Sequence, residues 1–317
     1  MSAPILLIIF NRPELTRRTL EAIARVKPQT LLVAADGARF PEEVDRCEQA
    51  RELIRGVDWK CDISTNFSDT NLGCGIRVYT AIDWAMSQYE ELIILEDDCI
   101  PSMSFFSFCE ELLAYYRDDN RVMHISGNNF QRGIRRTEYS YYFSKITHAW
   151  GWATWKRAWK HFDWNMASWP EFKREGLIKS FCDDPYELKY WTSIFDQTYA
   201  GAPDVWDYRW NYACLSQNGL ALLPSKNLVS NIGYGSDATH TQGEAHFMNL
   251  PTEEIADINH PPFVVRDRAA DQYTFDHNFG GNAMKQADTW SARLKRRTRP
   301  ISLPIRAARK FWRLVNT

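Results

Sequence analysis

No stretch of the sequence holds the roughly 18 consecutive apolar residues that a membrane-crossing helix needs, so an integral bundle is not expected. The opening Met1–Phe10 has no basic residue ahead of its short apolar run; it reads as a buried strand and not as a signal peptide. The seven cysteines (Cys47, Cys61, Cys74, Cys99, Cys109, Cys182, Cys214) are odd in number and form no Cys-x-x-Cys pair. That usage weighs against a disulfide framework or a zinc site and fits a reducing, cytoplasmic compartment. The formal net charge of −2 supplies no field that would gather a polyanion, and no nucleic-acid partner is expected.

The sequence is rich in aromatics, with 13 Trp, 14 Tyr and 17 Phe. Two readings stay open for them: a large core, or flat rings set against the apolar faces of sugars. Six of the Trp fall between Trp150 and Trp169, and Trp150, Trp152 and Trp155 are candidates for lining a sugar. Trp159 and Trp164 read as core.

Residues 4–10, Thr30–Ala35, Cys61–Ser64 and Glu91–Leu95 read as strands. Between them, helical spacing of apolar residues covers the chain after Pro13, Pro41–Ile54 and Gly75–Tyr89. Strands that are apolar almost throughout, alternating with helices, predict an α/β fold with a mostly parallel central sheet covered by helices on both faces. Ligands of such sheets bind beyond the carboxyl ends of the strands. Three of those ends are polar: Asn11-Arg12, Asp36-Gly37 and Glu96-Asp97-Asp98. The later chain predicts helices at 104–116, 183–200 and 207–217, strands at 122–126, 140–143 and 221–224, and a loop of small residues at 233–243.

The triplet Glu96-Asp97-Asp98 is the most informative feature. Three adjacent carboxylates repel one another, and holding them where a buried strand ends is costly unless a cation sits among them. Mn²⁺ or Mg²⁺ suits such oxygen ligands, leaves room for substrate phosphates, and can neutralise charge building on a departing diphosphate. The plain alternative is an acidic surface turn.

Ile93-Ile94-Leu95-Glu96-Asp97-Asp98, followed by Pro101 and Phe105-Phe106, resembles the metal-binding segment of N-acetylglucosaminyltransferase I and, more broadly, of bacterial family-2-like glycosyltransferases of the GT-A fold. Phe10-Asn11-Arg12-Pro13, Ala35-Asp36-Gly37, Ser126-Gly127-Asn128-Asn129 and Trp150-Gly151-Trp152 fall in that family's order, and the similarity spans roughly residues 4 to 240. The resemblance implies a GT-A domain over residues 1–290, with a nucleotide-binding half at 1–120 and an acceptor-binding half at 121–290. It implies a metal-dependent, inverting transfer from a nucleotide-sugar donor, UDP-linked, to a saccharide or glycolipid acceptor in surface polysaccharide or glycolipid assembly. Asp98 would be the direct metal ligand, with Glu96 and Asp97 contacting ribose or bound water. Asn11, Arg12, Asp36, Gly37, Arg77, Gly151 and Trp152 would contact the nucleotide sugar, and a late His, here His240, would reach the metal or the diphosphate.

An inverting transfer needs a carboxylate within reach of the acceptor hydroxyl. Asp204 and Asp207, in Pro203-Asp204-Val205-Trp206-Asp207-Tyr208, are the two candidates; Asp207 is preferred because it follows Trp206 as in the family's Trp-Asp-Asp segment, where Tyr208 now replaces the second acid. Either could instead cap the helix that follows. Residues 291–317 carry nine Lys or Arg and no acid, with Phe311, Trp312, Leu314 and Val315 among them. That tail can be drawn as a basic amphipathic helix on an anionic membrane surface, or as a solvated end. Two other functions compete. A sugar-1-phosphate nucleotidyltransferase would want a glycine-rich loop where Asn11-Arg12-Pro13-Glu14 stands; a non-catalytic nucleotide-sugar or membrane-surface binding module would not need the acids.

Overall fold

The computed structural model describes residues 2–202, 204–233 and 249–289. His240 and the basic tail at 291–317 lie outside the described residues.

The first third alternates as the apolar pattern predicts: β1 (Ile5–Ile9), α1 (Pro13–Val26), β2 (Thr30–Ala35), α2 (Val44–Arg55), β3 (Asp62–Phe67), α3 (Cys74–Met86) and β4 (Glu91–Glu96). It continues with β5 (Cys99–Pro101), α4 (Met103–Tyr115), β6 (Val122–Ser126), β7 (Tyr141–Ser144), β8 (Trp152–Trp155), α5 (Lys156–Trp159), α6 (Trp169–Arg174), α7 (Pro185–Tyr199), α8 (Asp207–Ser216), β9 (Leu220–Pro224), β10 (Val229–Asn231), α9 (Arg268–Asn278) and α10 (Gly281–Ala287).

Eight strands form one sheet in the order β3-β2-β1-β4-β8-β6-β9-β7, and β5 pairs with β10 in a separate ribbon. The β3-β2-β1-β4 half is parallel throughout; β8 runs against both β4 and β6, β6 and β9 are parallel, and β7 is antiparallel to β9. The architecture is thus the mixed α/β sheet, mostly parallel and flanked by helices, that the strand pattern predicts. The pleat of β1 and β2 divides the core in two. Ile5, Leu7, Ile9, Leu31, Val33 and Ala35 pack on the side of α1, α2 and α4; Leu6, Ile8, Leu32 and Ala34 pack on the side of α3 and α8. Both faces are buried, which is why these strands read as unbroken apolar runs. Among the described residues, no helix is long and apolar enough to cross a membrane.

The tryptophan-rich stretch hides a strand that the sequence pattern did not reveal. Trp152 and Trp155 sit three residues apart in β8, so they leave opposite faces of the sheet, one into each half of the core. The β5–β10 ribbon was missed too, because strands of three residues leave no period to read.

The ordering places a topological switch between β1 and β4. The chain leaves β1 towards β2 and β3 on one side, then returns to the other side as β4. A crevice opens beyond the carboxyl ends of two neighbouring strands at such a point. Here those ends are Phe10–Arg12 and Glu96–Asp98.

Candidate active site

A cavity of about 550 Å³ occupies that crevice. Arg12, Glu96, Asp97 and Asp98 line it from the ends of β1 and β4; Asp36, Arg39 and Arg77 line it from β2 and α3; Trp150, Asp204, Trp206 and Asp207 line it from the later chain, with Asp204 against the start of α3. Fold topology therefore brings together the polar ends of three parallel strands with a segment more than a hundred residues later.

The three acids of the triplet have different partners. Asp97 is 1% exposed and turned back towards β1, where Arg12 Nε donates to Oδ2 at 3.4 Å, Arg12 Nη2 pairs with Oδ1, and the Phe10 amide donates to Oδ2 at 3.3 Å. Burial pushes its carboxyl up to about 6, against the pull of Arg12. Asp98 reaches the cavity. Its Oδ1 accepts from Asn231 Nδ2 at 3.1 Å, and its Oδ2 faces Arg12 Nη1 at 3.0 Å. Glu96 lines the cavity; burial, then the charges of Asp98 and Asp97, push it up to about 8. Burial lowers the Arg12 guanidinium, and Asp97 and Asp98 more than reverse this, holding it above its ordinary range.

An acid held up to about 8 in the fold and ordinary near 4.5 when unfolded costs stability progressively as pH rises from 4.5 to 8, because the unfolded chain ionises first. Glu96→Gln should therefore stabilise the ligand-free chain at pH 8 by roughly 2 kcal/mol, about 5 °C in Tm. Melting curves at pH 8 and pH 5 check this: the gain should shrink at pH 5, and an equal gain at both would show that ionisation of Glu96 is not its source.

Asp36 lines the cavity, but its oxygens are already well occupied. Oδ1 accepts from the amides of Gly37 (3.0 Å) and Leu72 (2.9 Å); Oδ2 accepts from Asn71 Nδ2 (3.0 Å) and the Gly73 amide (3.2 Å). Its role in the chain is to clamp the 71–73 loop that opens α3. Arg77, 3% exposed, also lines the cavity, with both terminal nitrogens on Asn66.

Four of the residues expected to contact a nucleotide sugar do not line this cavity. Asn11 donates to Glu43 Oε1 at 2.9 Å, and Glu43 in turn pairs with Arg39, so Asn11 acts one residue behind the wall. Gly37 packs its α-carbon on the backbone of Thr70, where a Cβ would meet the carbonyl carbon at 2.5 Å. Gly151 has φ +67° and accepts from the Gly127 amide, joining β8 to β6. Trp152 is 1% exposed and stacks on Trp206 at 5.2 Å, with Trp159 and Trp210 around it; β8 is buried along its whole length, which puts this ring in the core. Trp155 is likewise buried, and Trp159 is core as expected. Of the tryptophans considered for a sugar face, Trp150 is the one at the cavity, together with Trp206.

Asp204 and Asp207 both line the cavity. The residue capping α8 is Trp206, so neither acid is the cap; Asp207 begins the helix and accepts from the Tyr208 amide at 2.9 Å. Asp204 lies against the start of α3, where a methyl group added at Gly75 would meet its Oδ1 at 2.5 Å. A carboxylate there is favoured by the positive end of the helix. Arg209, buried on Trp164 with its guanidinium on the carbonyls of Trp164, Val205 and Thr198, fixes the segment that carries both acids.

Arg39, Asn71, Asn231 and Gly233 belong to the site and were not foreseen. Arg39 follows Asp36 by three residues, a polar strand end that could have drawn notice; Asn231 and Gly233 arrive through the β5–β10 ribbon, which no local pattern announces. The oxygens of Asp98 and Glu96 suit a hard divalent ion. Among the described residues no group of three or more His, Cys, Asp or Glu is arranged as a metal cage, so such an ion would need further oxygens from a ligand or water.

No family model matches the sequence, and no curated protein matches it. Partial likenesses to solved structures exist. One is 4-diphosphocytidyl-2C-methyl-D-erythritol synthase from Anaerococcus prevotii, 14% identical, covering 61% of this chain and 83% of that one with a TM-score of 0.34. A second is UDP-glucose pyrophosphorylase complexed with UDP-glucose, 10% identical, covering 51% and 79%, TM-score 0.30. A third is mouse xyloside xylosyltransferase 1, 10% identical, covering 68% and 82%, TM-score 0.33.

Proposed function

We propose that the chain is a metal-dependent glycosyltransferase that moves a sugar from a nucleoside-diphosphate donor, a UDP-sugar, to a hydroxyl of a saccharide or glycolipid acceptor with inversion. The observation that supports this reading best is the meeting of Glu96 and Asp98, at the switch point between β1 and β4, with Asp204 and Asp207 across one cavity. The residues that carry the family resemblance at Arg12, Asp36 and Glu96–Asp98 line that same cavity.

In this reading Asp98, with Glu96 beside it, would hold Mn²⁺ or Mg²⁺, which supplies neutralisation of the diphosphate as the glycosidic bond breaks. Asp207 accepts the proton of the acceptor hydroxyl as its oxygen bonds to the anomeric carbon, and the nucleoside diphosphate departs with the electron pair. Asp204, packed against the start of α3, is better placed to position the donor than to meet the acceptor. Trp150 offers a ring face to a sugar, and the buried Trp152–Trp206 stack fixes the wall beside Asp207. Closing such a cavity over the donor keeps water from taking the acceptor's place.

Thermal melts with UDP and a panel of UDP-sugars, each with and without Mn²⁺, test the donor class. The expected result is stabilisation that needs both ion and nucleotide, followed by release of UDP when an acceptor is added. If nucleotides fail to shift the melt at millimolar concentration in either condition, the proposal is wrong.

A further inference from the structure

Arg12 differs from the other cations of the cavity in where its charge is spent. Arg39 is paired with Glu43, and Arg77 is bonded to Asn66, neither of them an acid of the triplet. Arg12 is joined to two members of the triplet at once: Nε and Nη2 grip the two oxygens of Asp97, while Nη1 lies 3.0 Å from Asp98 Oδ2. On Asp98 the other oxygen already takes Asn231 Nδ2 at 3.1 Å and Cys99 Sγ at 3.5 Å. Oδ2 is therefore the oxygen left for an incoming cation, and the guanidinium is on it.

We infer that Arg12 is a resident counter-cation at the metal position, a positioning residue that makes uptake of a divalent ion depend on the arrival of a nucleoside diphosphate. The inference rests on the proposed role of Asp98 as metal ligand. A divalent ion bonded to Oδ2 sits no farther than about 5 Å from Nη1, like charge against like, so ion and guanidinium compete for one carboxylate. A diphosphate changes that balance. It brings acceptor oxygens that suit the planar fork of a guanidinium, which can turn as one rigid unit away from Asp98 Oδ2 and towards the phosphate, with Asp97 still beside it as a counter-charge. The ion is then opposed less and gains phosphate oxygens as well. Coupling of this kind is reciprocal: whatever factor the diphosphate adds to ion affinity, the ion adds to diphosphate affinity.

The test is Mn²⁺ binding to the full chain, read from the electron paramagnetic resonance signal of free Mn²⁺, with and without UDP, for wild type, Arg12→Gln and Arg12→Lys. Wild type should bind Mn²⁺ weakly alone and more than tenfold tighter with UDP. Arg12→Gln should bind Mn²⁺ alone about tenfold tighter than wild type, with the gain from UDP reduced by a similar factor; Arg12→Lys, which keeps the charge but loses the fork, should fall between. Tightening is the diagnostic direction, because mere loosening of the fold around Asp97 weakens ion binding. Should Arg12→Gln be too unstable to purify, Arg12→Lys alone decides, by tightening or not. Unchanged or weaker Mn²⁺ affinity in the variants, with UDP still promoting uptake by wild type, overturns the role of Arg12 alone. No Mn²⁺ uptake by wild type even with UDP overturns the metal assignment and this inference with it.

Discussion

Asp98→Ala should reduce sugar transfer by about a thousandfold or more and leave the remainder insensitive to Mn²⁺. Asp98 presents one oxygen to the cavity while the other is anchored by Asn231, so its direction is set by the β5–β10 ribbon. Glu96 cannot replace it without giving up a proton that burial and neighbouring charge hold on up to about pH 8. Asp97 cannot replace it because its oxygens are committed to Arg12 and the Phe10 amide. The substitution removes one of the charges that repel Glu96 but also the ion pair with Arg12 and the acceptor of Asn231, opposing effects that should leave the melting temperature little changed. A Mn²⁺ titration of initial rate, with a melting curve as control, checks both statements. Transfer that keeps its Mn²⁺ response in Asp98→Ala would remove the ion from the site.

How far the site was readable beforehand follows from where each part comes from. β1, β2 and β4 are covered on both faces, so their interiors are apolar and the polar residues at their carboxyl ends stand out, Glu96 being the last residue of β4 itself. That contrast exposed Arg12, Asp36 and Glu96–Asp98. It could not show which acid turns inward, since Asp97 faces Arg12 through a side-chain choice made in three dimensions. The same limit applies to Trp152: aromatic content is visible in a sequence, but the strand period that sends this ring into the core spans just Trp152–Trp155. Asn11, Gly37 and Gly151 stand next to residues that matter and support them from behind, and nearness in sequence cannot separate these roles. Asn231 and Gly233 come from a ribbon whose register with Cys99–Pro101 is a long-range pairing.

The second large effect concerns the proton. Asp207→Asn keeps size and the contact to the Tyr208 amide but removes the basic oxygen; kcat should fall by about 10²- to 10⁴-fold with donor affinity changed less than threefold. Asp204→Asn is the informative companion. Its carboxylate lies at the start of α3, beside Gly73 and Gly75, so this change should alter donor affinity or stability more than turnover. Single-turnover rates together with equilibrium titration of UDP separate the two outcomes. Wild-type turnover in Asp207→Asn with a collapse in Asp204→Asn would reverse the assignment of the base.

The β5–β10 ribbon also orders events while the chain is being made. When residue 120 has left the ribosome, β3-β2-β1-β4 can already associate, yet β4 remains an open edge until Trp152–Trp155 emerges, and Asp98 lacks its Asn231 donor until residue 231 does. The acids are thus made first and governed last. A nascent chain halted midway would present a bare strand beside three acids that Arg12 neutralises only in part, and the charge left over discourages that edge from pairing with a neighbouring copy.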